Sequence, residues 1–106
     1  MKNLATLLCL LIFAPAFADE PPVHRYLIER TFPIGALEGL DAATKEKVNA
    51  NNASVGVRWV QSFANADKTK TYCIYEGPSE SAIREAALLN ALPVDSITEV
   101  PVDLTP

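Results

Sequence analysis

With 106 residues, 49% of them hydrophobic, the chain holds enough material for one small domain with one core, and two domains are excluded. Thirteen acidic side chains against nine basic ones give a net charge of −4. That sign repels phosphate backbones and anionic headgroups, which speaks against nucleic-acid binding and a membrane-surface role.

The first stretch, MKNLATLLCLLIFAPAFA, has a positive start at Lys2, an apolar run from Leu4 to Phe13, and small residues Ala16 and Ala18 around Phe17. This is the pattern of a secretory leader cleaved after Ala18, and its apolar run is too short and wrongly flanked for a spanning helix. The expectation is a periplasmic or secreted protein, not membrane-bound after cleavage. Removing 18 residues from 106 leaves 88, with eight basic and 13 acidic side chains and a net charge of −5. Cys9 departs with the leader, so Cys73 has no intramolecular partner for a disulfide. An exported domain of this size must then rely on core packing, helped by dimerisation or a metal.

A flexible lead-in is expected over 19–25 and a single domain over 26–104. HRYLIERTF (His24 to Phe32) is rich in β-formers and bounded by Pro33 and Gly35, and reads as a first strand. IGALEGL connects it to a helix capped by Asp41, running to about Val55 and stopped by Gly56. The apolar stripe of that helix, Leu40, Ala43, Val48 and Val55, is thin. Its asparagines between Asn49 and Asn52 weaken it, because their side chains compete for backbone hydrogen bonds. VRWVQSF (Val57 to Phe63) and TKTYCIYE (Thr69 to Glu76) read as strands of a hairpin joined by the turn ANADK. After Gly77-Pro78, Ser79 caps a second helix, ESAIREAALLN, with Ile83, Ala86, Ala87 and Asn90 on one face. Pro93 ends it. SITEVPVDL (Ser96 to Leu104) is the last strand, confined to a sheet edge by Pro101.

Strand, helix, strand, strand, helix, strand is the order of an α+β ferredoxin-like βαββαβ fold, a four-stranded antiparallel sheet with two helices on one face. Its strand order, 4-1-3-2, agrees with an edge position for the strand carrying Pro101. The other sheet face has no covering element in this chain. Trp59, Phe63, Tyr72 and Tyr75 are too many aromatics to leave in water, so a homodimer of the dimeric α+β barrel type is expected. The alternative packs all four beneath the helices.

Alternation places Thr71, Cys73 and Tyr75 on one side of the third strand, and one parity of the first strand puts Glu29 beside Cys73. On the second strand, either Arg58, Val60 and Ser62 or Val57, Trp59 and Gln61 would flank them. A carboxylate and a thiol together suit late first-row divalent ions such as nickel or zinc, and His24, the one histidine, could join them. No H-x-x-H, C-x-x-C or E-x-x-H spacing is present. The plainer alternative makes Cys73 a small buried hydrophobe, pairs Glu29 with Arg30 or Arg58, and leaves His24 an exposed bystander. A Cys–His nucleophile would need a third, orienting group, and there is no glycine-rich phosphate loop. A binder is therefore expected before a catalyst. The alternative is a dimeric α+β barrel enzyme or a small-molecule module using the open sheet face, lined by Trp59, Tyr72 or Tyr75.

The strings YLIERTFP, GVRWVQSF, DKTKTYCIYEGP and AIREAALLNALPVDSITEV, spanning Tyr26 to Val100, resemble a family of small bacterial proteins. Its members were first catalogued as a domain of unknown function and later described as nickel-binding. The resemblance implies a dimerising ferredoxin-like fold and makes nickel the leading ion, ahead of other divalent transition metals. Cys73, Glu29 and His24 are the ligands expected from the residues themselves. Two positions depart from the family pattern: Gly77 replaces an alanine before the proline, and Ala91 stands where a glycine usually ends the second helix.

Overall fold

The computed structural model describes residues 22–106; the expected leader at 1–18 and the first residues of the lead-in lie outside the described residues. Strand β1 (His24–Thr31) begins two residues before the expected domain start, because His24 already pairs with Gly77. It lies at the centre of the sheet, antiparallel to β3 (Lys70–Gly77) on one side and to β4 (Ser96–Glu99) on the other. Strand β2 (Arg58–Ala64) forms the far edge beyond β3, giving the order β2-β3-β1-β4, the 4-1-3-2 arrangement expected. Strand β4 is shorter than expected. Val100 N–H still donates to the Arg25 carbonyl, at 2.9 Å, but Pro101 has no N–H with which to continue the ladder.

Helices α1 (Ala42–Ala53) and α2 (Glu80–Leu89) cover one sheet face, and the residues beneath them make the core. It consists of Tyr26 and Ile28 from β1, Cys73 and Tyr75 from β3, Val57, and Ile83 with Ala86 from α2. Both expected N-caps are in place: Asp41 accepts from Thr44 N–H at 2.8 Å and Ser79 Oγ from Ala82 N–H at 3.2 Å. The helices differ in how they attach. α2 buries Ile83, Ala86 and Ala87, whereas α1 buries only Asn52. The asparagines that weaken α1 in isolation hold it in place here: Asn51 donates to Asn90 and Asn90 donates to Asn52, each at 2.9 Å.

Gly77 and Ala91 each have a local consequence. A Cβ on Gly77 would stand 3.1 Å from Val57 Cγ2 and 3.2 Å from Ile83 Cδ1, so the strand–helix junction is packed for glycine. Ala91 adopts φ 54°, the left-handed conformation in which glycine ordinarily terminates a helix, and Leu92 N–H closes the turn onto the Ala87 carbonyl at 2.9 Å.

A β-bulge between Trp59 and Gln61 breaks the alternation of β2. Trp59 lies opposite Tyr75 and Ser62 opposite Cys73, on the helix-covered face, while Gln61 and Phe63 lie opposite Ile74 and Tyr72 on the open one. Neither simple parity expected for this strand survives. The four aromatics are therefore divided: Trp59 and Tyr75 lie under the helices, and Phe63 and Tyr72 are exposed on the open face.

Candidate functional site

The register of the two central strands decides where the expected ligands stand. Ile28, and not Glu29, is the partner of Cys73, and Glu29 lies opposite Tyr72. Cross-strand partners share a face, so Cys73 points under the helices and Glu29 points to the open side. The Cys73–Glu29 ion site is thus corrected: the sheet itself stands between the two groups. Nor does Glu29 pair with Arg30 or Arg58. Its carboxylate accepts from Ser96 Oγ at 3.1 Å, while Arg58 pairs with Glu76 at 2.7 Å. His24 is half-buried and has a carboxylate partner. Its Nδ1 stands 2.8 Å from Glu99 Oε2 at the far end of β1, beside a hollow that Glu76 and Arg25 also line. Among the described residues, no three His, Cys, Asp or Glu side chains gather to hold a metal ion. Among the described residues, His24 and Glu99 stand together as a pair.

A larger cavity, of about 400 Å³, lies between the sheet and α1. It exists because the apolar stripe of α1 is thin. Leu40 and Val48 reach down from that side, and the 3-10 turn Ala36–Gly39 contributes Leu37, but they do not fill the space above Trp59 and Cys73. Cys73 is 5% exposed, its Sγ 3.5 Å from Thr71 Oγ1, and forms part of the floor. Three cations, Arg30, Lys45 and Lys68, line this cavity and no carboxylate does. That charge pattern opposes a divalent cation at the thiol.

Arg30 was missed in the residue-level reading. The signal was present: Tyr26, Ile28 and Arg30 are one parity of β1, so whichever face receives the first two also receives the guanidinium. Burial pushes the Tyr75 hydroxyl to a raised pKa, and the Arg30 guanidinium beside it pulls the other way. Tyr26 is also raised, first by burial and then by Glu99 and Glu80.

Three exposed carboxylates are held below their ordinary range: Asp41 by the Thr44 N–H, Asp67 by the Thr69 hydroxyl and Asp95 by the Thr31 hydroxyl and Lys70. A carboxylate whose pKa is lower in the folded state contributes stability that is complete above the unfolded value and is lost as pH falls through the folded one. The urea midpoint is therefore expected to hold steady from neutral pH down to about 5 and to fall below about pH 4. A midpoint at pH 3 equal to that at pH 6 would contradict this assignment.

The geometry defines a small protein of ferredoxin-like fold with a cavity on the helix side of the sheet and a His24–Glu99 pair at the strand ends. The sequence profile of the nickel responsive protein SCO4226-like family matches residues 26–100, and the chain belongs to that family. Among solved structures, that described as the crystal structure analysis of SCO4226 from Streptomyces coelicolor A3(2) is similar at 20% identity. The likeness covers 76% of this chain and 99% of that one, with a TM-score of 0.54, and it supports the ferredoxin-like fold. No curated protein matches the chain.

Proposed function

We propose that this is an exported, homodimeric nickel-binding protein that acts as a binder and not as a catalyst. Membership of a nickel-responsive family motivates the ion, and the leader-like first eighteen residues motivate export. The observation that carries the site is the His24–Glu99 pair, an imidazole and a carboxylate 2.8 Å apart at the surface. Imidazole suits nickel better than the isolated Glu29 carboxylate does. Two protein ligands are too few for a complete site, so the remaining positions fall to a second copy or to water. Phe63 and Tyr72, exposed on the open face, supply apolar surface for pairing two copies.

Calorimetric titration of tag-free protein with Ni²⁺ tests this, with sedimentation to give the oligomeric state and N-terminal sequencing of exported protein to locate cleavage after Ala18. His24→Ala is expected to weaken nickel binding by at least about tenfold, since losing a ligand forfeits its bond and its charge match. Cys73→Ser is expected to leave it unchanged. Absence of binding by the wild type, or loss on Cys73→Ser alone, would remove the His24 assignment.

A further inference from the structure

We propose that the cavity beneath α1 is a binding site for a small organic carboxylate with an apolar body, and that Arg30 is the ion partner of its carboxylate. Each of the other three arginines has an acidic partner: Arg25 with Asp103 at 2.8 Å, Arg58 with Glu76 at 2.7 Å and Arg84 with Glu80 at 3.0 Å. Arg30 is the most deeply placed, at 2% exposed, and among the described residues it has none. Its side chain donates one hydrogen bond there, from Nη1 to the Pro93 carbonyl at 2.8 Å, and its guanidinium carbon stands 5.5 Å from the Tyr75 ring centroid. A cation taken out of water without a counter-ion is costly, and neither a carbonyl nor an aromatic face neutralises it. A bound anion would.

The cavity has room for one. Its volume of about 400 Å³ lies within the range of small-molecule sites, and Arg30 forms part of its wall. The fork of a guanidinium matches the two oxygens of a carboxylate. Lys45 and Lys68, both exposed, stand in the same lining and add positive potential against a chain that is acidic as a whole. The rest of the wall sets the ligand class. Leu37, Leu40, Val48, Trp59 and Leu92 offer hydrocarbon and an indole, which a bare phosphate would leave unmatched and an aliphatic or aromatic acid would cover. This site is independent of the His24–Glu99 pair and takes the opposite charge.

Trp59 is the one tryptophan of the chain and lines the cavity, so its emission reports occupancy directly. Titration with octanoate is expected to change that emission saturably in the micromolar to low millimolar range. Octanol, which has a hydroxyl in place of the carboxylate, and inorganic phosphate are expected to bind at least about tenfold more weakly. Arg30→Gln should weaken octanoate binding by about ten- to a hundredfold, the effect of losing a charge-assisted hydrogen bond, and Arg30→Lys by less. Circular dichroism checks that the variants fold. Should Arg30→Gln not fold, the octanoate-to-octanol ratio on the wild type decides the question. No saturable response to octanoate, equal binding of octanol, stronger binding of phosphate, or undiminished binding by a folded Arg30→Gln protein would each overturn the proposal.

Discussion

Ile83→Ala is expected to lower the stability of the domain by about 2 to 5 kcal/mol, with little change in the steepness of the urea transition. Ile83 is 1% exposed and is the largest apolar side chain that α2 buries. Its Cδ1 reaches the site where Gly77 leaves β3. The neighbours cannot readily collapse into the space it would vacate, since on one side they are the backbone of a central strand. A small domain has roughly 5 to 15 kcal/mol in total, so the loss is a large fraction of it. The asymmetry of the helices raises the stake: α1 buries one polar side chain, so the apolar attachment of the helical layer rests mainly on α2. Leu88→Ala on the same helix, where the side chain is 81% exposed, is the control and should shift stability by no more than about 0.5 kcal/mol. Equal effects for the two substitutions would mean that α2 does not pack as described.

Features set by neighbours in sequence were legible before the structure. Asp41 and Ser79 cap helices because a short oxygen-bearing side chain precedes each periodic run, and Pro101 marks the edge strand because it lacks a donor. The layering followed from element order. What sequence does not carry is the register between strands distant in the chain. A shift of one residue moves every side chain to the other face, and Glu29 and Cys73 were joined by the parity that β1 and β3 do not adopt. The bulge at Val60 was equally hidden, because no glycine marks it, and it alone sends Trp59 inward while Phe63 remains outside. Arg30 could have been found by treating the first strand as a whole: a central strand with one charged member on the parity of Tyr26 and Ile28 must either expose those two or bury the charge.

Asn90→Ala is expected to destabilise the protein by about 1 to 3 kcal/mol, an effect too large for a half-buried side chain unless its partners matter. The partner that matters is Asn52, 1% exposed, whose Oδ1 accepts from Asn90 and whose Nδ2 has no acceptor among the described residues. Removing Asn90 leaves both ends of that amide unpaired away from water, and Asn51 loses its acceptor as well. Asn52→Ala removes the amide itself, so in an Asn90→Ala background it should cost less than it does alone, with a coupling of about 0.5 to 3 kcal/mol in a double-mutant cycle. Additive losses would show the three asparagines to be independent. The network also bears on the cavity, because it fixes the C-terminal end of α1, whose Lys45 and Val48 stand over the cavity one to two turns earlier. Releasing that end lets the helix shift over the space that Arg30 faces. Asn90→Ala should therefore weaken octanoate binding without altering any residue in contact with the carboxylate, and should leave nickel binding at His24 unaffected.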